Sequence, residues 1–263
     1  MNMKKVRQPA VAGMFYPEKP EALRKMVEKY LADANPSGPV PRAIIAPHAG
    51  YPYSGPVAAS AYARLKPAAG DIQEVVLFGP SHRVLFNGVA LSSLEAYATP
   101  LGEVPLNHTL AQSVAGLPQV HVLDEAHRPE HSLEVHLPFL QVVLKSFTLL
   151  PIVIGDTTPK AVAAVISALW DGPSRIFVIS SDLSHYLPYA QAVDIDQTTT
   201  AAIENLEAED IDEDQACGRT GIAAMLLVAR EKKLAVETVD LRNSGDTAGP
   251  RDQVVGYGSY VFT

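Results

Sequence analysis

RAIIAPHAGYPY, residues 42–53, decides the fold. Its apolar run from Ala43 to Ala46 stops at Pro47 and delivers His48 into a turn closed by Gly50. A run of this length between Pro and Gly reads as a buried strand entering a loop. The imidazole then stands at the strand's carboxyl end, where open α/β sheets bind their ligands. The same pattern recurs in VVLFGPSH (75–82) and in IFVISSDLSH (176–185). Three apolar strands each lead into a histidine, and that recurrence is the main functional signal.

Around these strands the helical pattern alternates. Residues 20–34 place Leu23, Met26, Val27, Tyr30 and Leu31 at helical spacing among charged side chains, an amphipathic surface helix. A small, apolar helix is expected over 54–65, behind the His48 loop. Strands follow over 89–92 and 147–154, helices over 107–116, 159–170, 194–206 and 218–233, and residues 98–102 read as a turn-rich excursion. Residues 132–144 read as a largely buried helix in which Pro138 marks a kink or the first turn. A strand over 234–241 runs into a polar loop, 242–249, and 254–262 closes the chain as a strand. Such alternation implies an α/β fold with a mainly parallel or mixed central sheet and helices on both faces. At 263 residues the whole chain, 1–263, is expected to form a single domain.

The net charge of -8 leaves no basic footprint for a phosphate backbone, so nucleic acid is not an expected partner. The amino terminus holds only a short apolar segment broken by Pro and Gly. It reads as neither a signal peptide nor a membrane span, and a cytoplasmic protein is expected. The single cysteine, Cys217, excludes an internal disulfide and a CxxC knuckle, so a metal site must draw on His, carboxylate and water. Cys217 itself reads as a buried residue at a helix start.

With the strands side by side, His48, His82, Asp182, His185 and the loop at Asp246 converge on one edge of the sheet. Two histidines and one carboxylate, with positions left open, suit non-haem Fe(II). Each histidine alone reads first as a strand-end residue bonded to a neighbouring carbonyl; placed by matching strand ends, His48 and His82 together read as ligands. Asp182 and His185 stand three apart and would share a face on a helix's first turn. Asp182 reads either as a site carboxylate or as an N-cap, and His185 as a general base or ligand. The cluster SSDLSH holds the residue types of a Ser/His/Asp hydrolase without the G-x-S-x-G elbow. In EHSLEVH, 130–136, the spacing is not that of a zincin, and His131, Glu134 and His136 are read as pocket residues that orient a ligand. Tyr51, Tyr53 and Tyr186 flank the pocket as hydrogen-bond donors or stacking faces, or as ordinary packing.

Five motifs in order, from VRQPAVAGMFYP (6–17) through APHAGYPYSG (46–55), GPSH (79–82) and EHSLEVHLP (130–138) to SSDLSHY (180–186), resemble the Memo family. Its microbial members are called AmmeMemoRadiSam system protein B. The resemblance runs from about Val6 to Phe262 and implies a fold similar to class III, LigB-type extradiol dioxygenases. It also implies pathway association with AMMECR1-like and radical SAM proteins. Carried over by residue, His48 and His82 resemble the iron ligands and His185 the base. Animal members place a cysteine in the last loop where the dioxygenases place glutamate; that column falls on Thr247, beside Asp246. The expectation is therefore a divalent metal, Fe(II) first with copper or zinc as alternatives, held by His48, His82 and Asp246. His185 would move protons, and Asp182, His131 and His136 would orient the others. The ligand would be a small substrate of an oxidoreductase, with aromatic compounds among the candidates. The alternatives are a non-catalytic adaptor that takes a ligand or phosphopeptide in the same cleft, and a metal-dependent hydrolase.

Overall fold

The computed structural model describes residues 5–212 and 214–263. Its strands are β1 (Val6–Arg7), β2 (Ala43–Ala46), β3 (Glu74–Pro80), β4 (Val89–Leu91), β5 (Ala96–Thr99), β6 (Gly102–Pro105), β7 (Val120–Val122), β8 (Thr148–Ile154), β9 (Arg175–Ser180), β10 (His185–Leu187), β11 (Val236–Asn243) and β12 (Val254–Phe262). Its helices are α1 (Pro20–Asp33), α2 (Tyr51–Ala63), α3 (His108–Val114), α4 (Asp124–His127), α5 (Leu137–Val143), α6 (Pro159–Ala168), α7 (Tyr189–Glu204), α8 (Arg219–Lys232) and α9 (Ser244–Thr247).

The main sheet runs in the order β10-β12-β2-β9-β3-β8-β4-β7, with β11 on the other side of β12. Its centre, β2-β9-β3-β8, is parallel, and antiparallel strands flank it, so the sheet is mixed. The central strands are buried on both faces, as parallel strands covered by helices must be. Alternation with period two divides their side chains between two cores. Ile44, Ala46, Val75, Leu77, Ile176 and Val178 face α1, α2 and α5; Ala43, Ile45, Val76, Phe78, Phe177 and Ile179 face α6, α7 and α8.

Three local expectations change. The helix behind the His48 loop begins at Tyr51, because Pro52 falls in its first turn, where the missing N–H would be unsatisfied anyway. Residues 182–185 do not form a helical turn. Ser181 N–H donates to Ala46 O at 3.0 Å and Leu183 N–H to Gly256 O at 2.8 Å, so this segment continues the ladders of β2 and β12 into β10. The excursion around 98–102 is a hairpin, β5 with β6, extended by β1 in parallel.

That small sheet is fastened to the site-bearing segment by one buried ion pair. Arg7 donates to Glu134 Oε2 at 2.5 Å, to His127 O at 2.7 Å and to Glu130 O at 2.6 Å. Glu134 also accepts from the N–H groups of Ala10 and Val11 and from Tyr16 O–H. The carboxylate expected in the pocket is thus a clamp on the amino-terminal stretch. Glu134→Ala strands the buried Arg7 guanidinium and is expected to cost about 3–5 kcal/mol, measured by urea unfolding.

Candidate metal centre

The register of the parallel strands builds the site. Ala46 pairs with Ser180, and Phe78 with Ile179, so the chain leaves β2, β3 and β9 at one level. His48 and His82 follow two residues after their strands, and the segment before α5 brings His131 against them. Ring centroids lie 5.1 Å apart for His48–His82, 5.4 Å for His48–His131 and 4.6 Å for His82–His131. One ligand nitrogen from each of the three lies within 4.8 Å of the others, a group that can hold a divalent metal ion.

Each imidazole has an oxygen behind its Nδ1. Glu130 Oε1 accepts from His82 Nδ1 at 2.9 Å and lies 3.3 Å from His131 Nδ1. The same carboxylate accepts the N–H of His82 at 2.6 Å and those of His131 and Ser132 at 2.9 Å. Burial alone would raise the Glu130 carboxyl; the donors from His82 and Ser132 overcome it and hold it at about 2. His48 Nδ1 meets Ser180 Oγ at 2.6 Å. That hydroxyl has one proton, which goes to Ser132 O at 2.6 Å, so it accepts from both His48 Nδ1 and His136 Nε2 at 2.8 Å. Tyr62 O–H donates to His136 Nδ1 at 2.7 Å and completes the chain. This donor balance assigns His48 the tautomer with its Nε2 lone pair free. An outer partner that fixes the tautomer and aims the ring is the usual support of a ligating histidine.

His136 thus stands one hydrogen bond behind His48. Asp182, buried, accepts His48 N–H at 2.7 Å and also the N–H of Ala49. Burial pushes its carboxyl up to about 7 against those bonds. His185, at the start of β10, is half-buried beside Tyr186, and burial lowers it. Side-chain exposure is 28% at His82 and 14% at His131, against 2% for His48, so solvent reaches the group from the His82 side.

Asp246, expected as the third ligand, is committed elsewhere. Its Oδ2 accepts Asn243 N–H at 3.1 Å in a capping box on α9, and its Oδ1 accepts Tyr189 O–H at 2.7 Å. Thr247 donates to Ser244 O in the same turn. His131, expected to orient a ligand, stands in the group itself. Sequence reasoning gave no role to Glu130 or Ser180, although a glutamate directly before a histidine in a Pro-led segment is a readable signal for Glu130. It also missed Cys217, whose Sγ lies 3.3 Å from His48 Nε2. Burial, with Asp182 nearby, pushes this thiol up to about 12. A cleft of about 170 Å³ beside it is lined by Pro80, Val84, Phe86 and Ile154.

The family model for Memo-like protein matches residues 7–261. The chain belongs to the Memo family. A MEMO1 family protein of Methanococcoides burtonii is 39% identical, covering 97% of this chain and 99% of that one. Those of Sulfolobus acidocaldarius and Aquifex aeolicus are 37% and 35% identical, each covering 98% of this chain and 99% of its own. The solved structure of uncharacterized protein JW3007 from Escherichia coli K12 overlays at TM-score 0.49 and 13% identity, over 82% of this chain and 98% of that one, too remote to carry an argument. No helix among the described residues is long and apolar enough to cross a membrane.

Two outcomes test the outer ring of this Memo-family site. Glu130→Gln frees both imidazoles and should weaken metal binding about 10–100-fold, read by competition with a chelator. Acid should destabilise the metal-free protein. Burial lowers His131 from 6.5 to about 4 and His136 to about 3, so the unfolded chain binds their protons first, and stability falls as pH drops from 6.5. Glu130, lowered from 4.5 to about 2, adds a loss below 4.5. Asp182 acts oppositely, its contribution fading as pH rises through about 7. The urea midpoint followed from pH 7 to pH 4 should decline, and less steeply in His136→Asn.

Proposed function

We propose that this Memo-family protein is a non-haem iron oxidoreductase, with a dioxygenase-like site, acting on a small substrate. The observation that supports it is the group of His48, His82 and His131, with Ser180 behind His48 Nδ1, Glu130 shared behind the Nδ1 atoms of His82 and His131, and a nitrogen of each ring left for an ion. Three imidazoles on one side of an ion leave its other positions for substrate and oxygen, and imidazole suits Fe(II), copper and zinc. A bound Fe(II) would supply the oxygen and electron chemistry that no side chain here provides.

The chain's own residues do the rest. Glu130 and Ser180 fix the three rings, so no side-chain reorganisation is needed when the ion enters. Asp182 holds the backbone of His48, which sets the loop that carries the ring. His185, lowered by burial, is neutral at neutral pH and can accept a substrate proton. Substrate approaches from the open His82 side.

Metal content under anaerobic conditions tests this, with Fe(II), Cu(I) and Zn(II) in competition on the wild type, on His131→Ala and on the double variant His48→Ala with His82→Ala. Near-stoichiometric Fe(II), lost in the folded variants and accompanied by oxygen uptake with catechol-like substrates, is the expected result. A protein that binds no metal, or binds it indifferently to these histidines, would overturn the enzyme reading and leave the cleft as a binding surface for a ligand or peptide.

A further inference from the structure

We propose that Tyr257 is a substrate-binding residue of this centre: its phenol O–H donates to an oxygen of an aromatic substrate whose ring lies against Tyr53 and Tyr186. The inference rests on the metal-site reading above and adds the chemical class of the substrate, a planar ring that carries an acceptor oxygen.

The phenol is an unspent donor. The other buried tyrosines all have bonded hydroxyls: Tyr16 meets Glu134, Tyr51 meets Val135 O, Tyr62 meets His136, Tyr97 meets His127 and Tyr260 meets Thr200. Tyr257, 2% exposed, has no hydrogen-bond partner among the described residues. A buried hydroxyl normally recovers in a protein bond what it loses in water. Nor is this one walled in, since the sealed side-chain atoms without a partner are Arg64 Nε and Ser184 Oγ. A free donor with open space at its tip is what a polar anchor in a ligand site requires.

The strand register places that donor. Leu183 N–H donates to Gly256 O and Gly256 N–H to Ser184 O, each at 2.8 Å, and His185 pairs with Val255. Tyr257 is the next residue along β12, beside the segment that carries Asp182 and His185. Alternation sets Val255, Tyr257 and Ser259 on one face, where Ser259 Oγ donates to Val57 O of α2 at 2.7 Å. His185, opposite Val255, shares that face, and Tyr53 stands one turn before Val57 on α2. Asp182, Tyr53 and Tyr186 lie within electrostatic reach of the phenol, and His82 within reach of Asp182 and His185. The three tyrosines therefore adjoin the exposed His82 side of the metal group, where substrate enters.

Burial first, then Asp182, Tyr53 and Tyr186, raises the pKa of Tyr257, so the phenol keeps its proton at neutral pH. The rings beside it are exposed, 42% at Tyr53 and 69% at Tyr186. Tyr186 has a φ of 56°, a left-handed conformation that a bulky residue adopts only where its surroundings impose it. The register of β10 on β12 shifts at this residue, and its ring stands 5.8 Å from that of His185 between centroids. An exposed ring held in a strained backbone offers a stacking face to a planar ligand.

4-Nitrocatechol is the probe, added under anaerobic conditions to the zinc(II)-loaded chain, because its colour reports whether the bound oxygen is ionised. Zinc does no redox chemistry, so binding is read without turnover. In Tyr257→Phe the dye should bind about 10–100-fold more weakly, as the loss of a hydrogen bond to a charged oxygen predicts. The pH at which the bound dye ionises should rise. Zinc content and the urea midpoint should stay at their wild-type values, since no protein group bonds the hydroxyl. Tyr260→Phe is the control: it removes a hydroxyl bonded to Thr200 in the core on the other face, and should lower the urea midpoint without changing dye affinity. Equal dye affinity and ionisation in the wild type and Tyr257→Phe overturns the anchor, and so does a zinc-loaded wild type that takes up no dye. A chain that retains no zinc overturns the metal-site reading, and this proposal with it.

Discussion

The buried carboxylate of Glu130 is the constraint on which the site depends. An ionised carboxylate out of water must be surrounded by donors or it does not stay ionised. Here the donors are the backbone of His82, His131 and Ser132 and the Nδ1 atom of His82, with His131 Nδ1 3.3 Å away. One charge therefore joins the loop after β3 to the segment before α5 and turns two rings the same way. Ser132 Oγ, which donates to Pro80 O at 2.8 Å, is a second tie between the same two segments.

Four residues on, Glu134 solves the same electrostatic problem with a different result. Its partners are Arg7, Tyr16 and two backbone N–H groups from the amino-terminal stretch, and none is a site histidine. Arg7 also donates to the carbonyl of Glu130, so the second clamp supports the first. Leu133 and Val135 anchor this segment in the core, between its buried polar groups. Its geometry is set by charge-assisted bonds, which are directional, and that suits a stretch that must hold ring orientations.

The strands, the helices and the level at which the chain leaves the sheet were legible because burial enforces periodicity. AIIA, VVLF and IFVIS have no other stable home than a covered parallel sheet, and His48 and His82 follow from their ends. What could not be read was competition for the polar groups. Asp246 looked like a ligand from its loop, but the Asn three residues before it offered a capping box, and a local bond forms without bringing distant chain together. Asp182 and His185 looked like a helical face, but the backbone donors at 181 and 183 were claimed by β2 and β12, pairings 135 or 73 residues away in sequence that no local pattern announces. Glu130, Ser180 and Cys217 act through partners on other elements, so their roles exist only once the sheet register is known.

The clustering of imidazoles carries its own argument. His48 is surrounded by His82, His131, His136 and His185, and burial first, with repulsion from these imidazoles second, lowers its pKa well below 6.5. Protonated together, such a group would repel itself in a low-dielectric setting; neutral, it presents lone pairs beside the Glu130 carboxylate. A pocket of neutral bases backed by a fixed anion is poorly suited to an anionic ligand taken directly onto the rings and well suited to a cation. Ser180 sharpens the point. Because its hydroxyl proton is spent on Ser132 O, it can only accept from His48 Nδ1, and the ring is left with one basic nitrogen facing inward. The fold thus selects a tautomer as well as a position, and a lone pair so aimed is useful for binding a positive ion.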